Sequence, residues 1–173
     1  MPLEIERKFL LGAEPDWTHP ALRDADVIEY EQVYLKVDGT DQLRIRRGVR
    51  HGRAAYRLAR LHRLSDGVRE VEERELDRGE YDELRAGRDP RREIIAKVRR
   101  CFRWRGQLFE LDDIRRPVSR ACHLLELQVE SLEQSFTLPD FLVIDREVTT
   151  EPAFSNAVIA LGWRGGRSLL EAS

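Results

Sequence analysis

The chain is short of the residues that build most metal and nucleophile sites. Its two cysteines, Cys101 and Cys122, are too few and too far apart in sequence for a zinc ligand set. A single disulfide stays open, but two reduced cysteines in a cytoplasmic protein is the preferred reading. The four histidines (His19, His51, His62 and His123) are scattered and share no ligand spacing. No GxxxxGK[ST] loop, no GxGxxG after a strand and no GxSxG elbow is present, so phosphate recognition here would rest on side chains. No apolar run approaches membrane-spanning length and no signal-like start is visible, which predicts a cytoplasmic protein away from membranes. Internal repeats and low-complexity segments are absent too.

What remains is charge. Asp, Glu, Lys and Arg make up 36% of the 173 residues, yet the net charge is only −2, so no basic surface is available for non-specific nucleic-acid binding. Apart from Lys8, Lys36 and Lys97 the cations are arginines. Their planar paired donors suit phosphate, although genomic base composition would raise arginine as well. With 41% hydrophobic residues the chain can fill one core, predicted over residues 1–162, with 163–173 as a loosely held tail around Gly165 and Gly166.

Strand-like alternation runs over 3–10, 28–36, 42–48, 54–61, 68–76, 95–104, 107–114, 122–130 and 142–148. Turn residues separate several of these runs: Asp38, Gly39 and Thr40; Ser65, Asp66 and Gly67; Arg105 and Gly106. One short turn or helix fits within 15–25, a capped helix fits from Asp77 to Ala86 ending at Gly87, another begins at Ser155, and 131–137 has room for a further turn. Many short antiparallel strands with few helices predict an α+β protein built on an antiparallel β-barrel.

The strands carry the chemistry. Residues two apart on a strand share a face, so Glu4, Glu6 and Lys8 project together, opposite Ile5 and Phe9. The same inverted pattern recurs at Arg44 and Arg46, at Glu110 and Asp112, and at Glu126 and Gln128. If the apolar faces pack under helices, the charged faces line a shared hydrated interior suited to a metal-bound polyphosphate. Oxygen-only carboxylate sites favour Mg²⁺ or Mn²⁺. For any one of these acids an exposed strand face is the plainer reading; several alternating strands weaken it, because an antiparallel sheet normally hides one face only. Lys8, Arg44, Arg46, Lys97 and Arg99 form the basic set, with Arg57, Arg60 and Arg69 as further candidates; ordinary surface salt bridges are the alternative. Tyr34 and Lys8 are candidates to act on a water, and for Tyr34 a core role is an equal reading.

In order and spacing these motifs resemble the CYTH superfamily, the triphosphate tunnel metalloenzymes. The resemblance runs from Glu4 to about Leu161: EIERKFL with Glu4, Glu6 and Lys8; Gln32, Tyr34 and Leu35; Arg44 with Arg46; Lys97 with Arg99; QLFELD from Gln107 to Asp112; LLEL from Leu124 to Leu127; and Glu147, Val148 and Thr149 followed by Phe154, Ser155 and Asn156. It implies an eight-stranded antiparallel tunnel with flanking helices. Its glutamates would bind divalent metal (Glu4, Glu6 and Glu126, with Glu73, Glu110 and Asp112 secondary), and its cations would bind triphosphate. Relatives hydrolyse inorganic triphosphate, thiamine triphosphate, nucleoside triphosphates or RNA 5′ ends, and one branch cyclises ATP. Pairing as a homodimer is compatible with such a barrel.

Four departures stand out. A lysine that relatives commonly carry on the fourth strand becomes Arg60, or Ala59 if the register slips by one. An R-x-E-x-E strand becomes Arg69, Val71 and Glu73, with Glu75 available to compensate, and a late E-x-E becomes Glu126 and Gln128. A basic position after the E-V-T segment is also replaced, around Pro152 and Ala153. The leading expectation is a metal-dependent hydrolase of a small triphosphate, inorganic triphosphate first. The alternatives are a non-catalytic tunnel that binds nucleotide or polyphosphate, and an interaction barrel filled by its own salt bridges.

Overall fold

Two-residue alternation produces strands wherever one face can be buried, and here nine segments obey it. The computed structural model describes residues 2–162; the 163–173 segment lies outside them. The strands are β1 (Leu3–Leu11), β2 (Asp26–Asp38), β3 (Asp41–Arg50), β4 (Arg53–Ser65), β5 (Val68–Leu76), β6 (Ile95–Trp104), β7 (Gln107–Arg116), β8 (Cys122–Gln128) and β9 (Ile144–Glu147). Eight of them run in the order β5-β4-β3-β2-β6-β7-β8-β1, every neighbouring pair antiparallel, and β1 returns to β5 to close the barrel. β9 pairs with the far end of β1, from Phe9 to Leu11.

The closing seam is short, pairing Leu3 with Glu70, Glu4 with Arg69 and Ile5 with Val68. It is reinforced at the β4–β5 turn, where the Glu6 amide donates to the Gly67 carbonyl at 2.9 Å. Gly67 has φ +73°, and a Cβ there would stand 2.7 Å from the Glu6 carbonyl oxygen. Both the left-handed backbone and the close approach require glycine at this point.

Outward faces supply most of the core. Phe9, Phe102, Phe109, Leu111, Leu125 and Leu127 pack with Leu22 of α1 (Pro20–Arg23) and with Leu142. Val33, Ile45 and Leu76 pack against Tyr81 of α2 (Arg78–Ala86). That helix is begun by a capping box between Asp77 and Glu80 and ends at Gly87, as its sequence predicts. The expected turn after residue 130 reduces to one hydrogen bond from the Gln134 amide to Ser131.

A further apolar cluster fills one end of the barrel itself. The inward residues Tyr34, Ile95, Ile114 and Leu124 meet Val148 and, on or just after α3 (Asn156–Ile159), Ala157, Ile159 and Ala160. The interior is therefore charged along part of its length and dry at one end. Among the described residues no helix is long and apolar enough to cross a membrane.

Candidate functional site

Residues opposed in register share a face, so the ladder fixes which side chains turn inward. Lys8 pairs with Glu126 and Glu6 with Gln128; Glu126 pairs with Glu110 and Asp112 with Leu124; Arg99 pairs with Asp112; Tyr30 pairs with Lys97. Gln32 pairs with Arg46 and Tyr34 with Arg44; Arg44 pairs with Ala59 and Arg46 with Arg57; Ala59 pairs with Glu73; Glu4 pairs with Arg69. Of the candidate residues, Glu4, Glu6, Lys8, Tyr34, Arg44, Arg46, Glu73, Lys97, Arg99, Glu110, Asp112 and Glu126 all share that interior.

Arg60 does not. It pairs with Leu43 and Glu72 on the outer face and is exposed, while Ala59 takes the inward place and is buried. The register is the one that turns Ala59 inward, so Arg60 faces away from the interior and is not placed to bind phosphate there. Tyr34 lies inside but among the apolar residues of the closed end, its hydroxyl accepting from Gln32 Nε2 at 2.9 Å.

On the inner face of the β6–β7–β8–β1 wall each charge has an opposite partner among the described residues. Asp112, fully buried, accepts from Lys97 Nζ at 2.6 Å and from Arg99 Nε and Nη2 at 2.6 and 2.8 Å. Arg99 also donates to Glu126 at 2.7 Å and to Glu110. Lys8 Nζ stands 3.1 Å from Glu126 and 3.9 Å from Glu6. Burial opposes the charge on Asp112, but Arg99 and Lys97 outweigh it and hold the carboxyl below its usual range. Against the same burial, Lys8, Arg99 and Lys97 hold Glu126 well below its own. Lys97 has one acid and a neighbouring arginine, so burial dominates and pushes its ammonium down to about 8. At Glu110 burial likewise dominates and raises the carboxyl.

The β3–β4–β5 wall is looser. Arg69 bridges Glu4 at 2.9 Å and Glu6 at 3.3 Å, and these acids overcome its burial to raise its pKa. Arg46 and Arg57 share Glu73 at 3.0 and 3.2 Å. Between these pairs Ala59, Leu61 and Val71 form a buried apolar patch of the inner surface. Arg44 is 4% exposed and has no ion pair among the described residues; its Nε is buried without a partner. Burial, followed by the repulsion of Arg46, pushes its guanidinium down to about 10. Arg69 was legible only as one candidate among several, its signal being the alternation of Arg69, Val71 and Glu73.

The donor chemistry suits a hard divalent cation. Glu4 and Glu6 reach the same Arg69 nitrogen, and Glu6 and Glu126 both lie within 4 Å of Lys8 Nζ. Among the described residues no three His, Cys, Asp or Glu side chains form a metal cluster, because cationic heads stand between the carboxylates. Asp112 is wholly taken up by Lys97 and Arg99; Glu4, Glu6 and Glu126 could serve as oxygen donors only once Arg69, Lys8 and Arg99 release them.

No family profile matches the chain, and no curated protein matches it. Solved structures do. The inorganic triphosphatase NE1496 is 27% identical over 95% of this chain and 99% of that protein, with a TM-score of 0.60. The protein PH1819 of Pyrococcus horikoshii is 21% identical over 76% of this chain and 80% of its own, with a TM-score of 0.54. HpAC1 of Hippeastrum, in which triphosphatase activity is dominant, is 19% identical over the same shares, with a TM-score of 0.53. With its ExExK, RxR and KxR strands all turned into a closed barrel, the chain shares the fold of these proteins, which is consistent with the CYTH superfamily that its motifs resemble.

Proposed function

We propose that this protein binds a triphosphate-bearing small molecule inside the barrel and hydrolyses it with Mg²⁺ or Mn²⁺, inorganic triphosphate being the first candidate. One observation carries the reading: Arg44 is a buried cation for which the described residues supply no counter-charge. A buried unpaired charge costs several kcal/mol, on the order of 3–5 when a pair is broken, and a bound phosphate would remove that cost. Arg46 and Arg69 lie beside Arg44, close enough to act on its charge, and Lys8 stands nearby on β1, so cations from three strands can meet successive phosphates.

The resting interior is self-neutralised, so ligand entry is an exchange of partners. Arg69 and Lys8 would leave their glutamates for phosphate oxygens, and Glu4, Glu6 and Glu126 would be freed to hold the metal. When bound, the ion would supply charge neutralisation and a polarised water, the two needs of in-line attack on a phosphoanhydride. The chain's own part is to grip the phosphates, align the anhydride and exclude bulk water behind the apolar closed end. Free thiols at Cys101 and Cys122 suit the cytoplasm, where we place the protein.

A second reading has its own support. Ala59, Val71 and Gln128 stand where relatives commonly carry a lysine and two acids, and the first two are packed apolar wall. These changes favour a tunnel that binds triphosphate and turns it over slowly or not at all. Phosphate release from inorganic triphosphate, ATP and thiamine triphosphate, measured with each metal varied, separates the two. Metal-dependent release lost in Glu6→Gln supports the hydrolase. A melting shift with inorganic triphosphate but no release leaves the binder, and neither release nor shift rejects both.

A further inference from the structure

We infer that Tyr30 is a positioning residue: its ring holds the guanidinium groups of Arg46 and Arg99, from the two strands flanking β2, in the attitude that receives the phosphates. The inference rests on the triphosphate reading above. Tyr30 turns inward on β2, with Gly48 of β3 on one side of it in register and Lys97 of β6 on the other. Its ring centroid lies 5.0 Å from the Arg46 guanidinium carbon and 5.8 Å from that of Arg99. A tyrosine ring attracts cations to its face, and the attraction grows as water is excluded.

These two arginines belong to the two different networks of the interior, Arg46 to Glu73 and Arg99 to Asp112, Glu110 and Glu126. Like charges turned into one interior repel, even from strands separated by β2. One ring shared between them gives each guanidinium a second contact besides its carboxylate. When the carboxylates exchange partners on ligand entry, that contact stays.

An independent feature points to the same ring. Gly48 lies inside a strand, where glycine weakens the ladder, and its backbone is not in the left-handed region. What glycine provides is space: a Cβ there would stand 2.9 Å from Tyr30 Cε1, 3.3 Å from Cδ1 and 3.4 Å from Ile28 Cγ2. The strand gives up a side chain at the one place where the Tyr30 ring lies across it. The contacts of Tyr30 to Arg46 and Arg99 are made by its ring, and the ring is the working part.

The test is calorimetric titration of inorganic triphosphate, at fixed Mg²⁺, into wild type, Tyr30→Phe, Tyr30→Leu, Gly48→Ala and the double variant Tyr30→Leu/Gly48→Ala, with a melting curve for each. Tyr30→Phe keeps the ring and should bind within about twofold of wild type, whereas Tyr30→Leu should bind about tenfold more weakly. Gly48→Ala should weaken binding although every cation is present, and the double variant should be no worse than Tyr30→Leu, because both changes act through one ring. Losses of affinity in Tyr30→Leu at unchanged melting temperature separate positioning from a general structural role. Wild-type affinity in Tyr30→Leu, or equal losses in Phe and Leu variants, overturns the inference while leaving the triphosphate reading intact. Absence of binding by wild type overturns both. Should Tyr30→Leu not fold, Tyr30→Phe and Gly48→Ala still decide, since a bound Phe variant and a weakened Ala variant are expected together.

Discussion

The two walls of the barrel carry the same kinds of side chain and spend them differently. On β6, β7, β8 and β1, Asp112, Glu126 and Glu110 are matched by Lys97, Arg99 and Lys8 in one buried network. On β3, β4 and β5 an arginine is left unmatched beside a patch of Ala59, Leu61 and Val71. A matched network sets geometry, because removing any member strands the others in low dielectric. An unmatched cation bears the cost of its burial until an anion arrives. On the reading proposed above, the comparison divides labour: the acid-rich wall would hold shape, supply oxygen donors and present Arg99 to the ligand, and the arginine wall would take most of the phosphate charge.

The largest effect should come from breaking the matched wall. Asp112→Asn leaves Lys97 and Arg99 short of a buried counter-charge, and we expect a loss of about 3–5 kcal/mol in stability without ligand. At roughly 2–4 °C per kcal/mol for a chain of this size, thermal denaturation reads it directly. A loss below about 1 kcal/mol would mean that water, rather than Asp112, screens these cations, and the division between walls would collapse.

On the other wall the same kind of change should have the opposite sign. Arg44→Met replaces a buried guanidinium that has no counter-charge among the described residues with an apolar chain of similar length, so the ligand-free protein should melt at the same temperature or somewhat higher. Its affinity for inorganic triphosphate should fall at least about tenfold, or about 1.4 kcal/mol. Destabilisation of the ligand-free protein would show that its contacts, the Tyr34 hydrogen bond among them, outweigh the missing counter-charge, and the argument from that missing charge would fail.

Much of this arrangement was legible in the sequence. All nine strand runs appear within a few residues of their predicted ends, because alternation on a half-buried strand is the strongest local signal a chain carries. Glu4, Glu6 and Lys8, and Arg44 with Arg46, were readable as sets for the same reason. Three things were hidden. The register of β4 could not be decided by pattern: Ala59 and Arg60 are both adequate strand residues, and only pairing with Arg44 and Leu43 assigns their faces. The dry end was hidden because Tyr34, Ile95, Ile114 and Leu124 look like any other strand residues until Val148 and α3 are folded against them. Tyr30 and Gly48 escaped notice because their relation crosses two strands and has no spacing in one dimension.

Restoring charge to the apolar patch sharpens the comparison with a smaller effect. Ala59→Lys and Val71→Glu alone each force a charge into a packed wall and should cost roughly 1–3 kcal/mol. Together they lie diagonally on adjacent strands, two residues apart in register on the same face, and should recover about 1 kcal/mol of that sum through mutual neutralisation. Added to Gln128→Glu, the pair should raise metal-dependent phosphate release at saturating triphosphate. Strict additivity of the two stability losses would show that the side chains do not meet, and unchanged release would favour the binding reading.

The smallest effect is a single proton, and it reports on where the walls meet the ligand. Burial sets the Lys97 ammonium at about 8 in the folded chain against an ordinary 10.5, with Asp112 only partly offsetting it. Between those two values the unfolded chain keeps a proton that the folded chain has shed, so this residue makes stability rise with pH across that window. Below about 8 both states are protonated and the fold carries the full cost of the buried charge. A triphosphate beside Lys97 would favour the charged form and draw its pKa back up. Binding measured just above pH 8 should therefore take up a fraction of a proton, seen as a heat that differs between buffers of high and low ionisation enthalpy. Lys97→Arg stays charged throughout and should abolish that difference while preserving affinity. Equal heats in both buffers for wild type would mean that the phosphates stop short of Lys97, confining the ligand to the arginine wall.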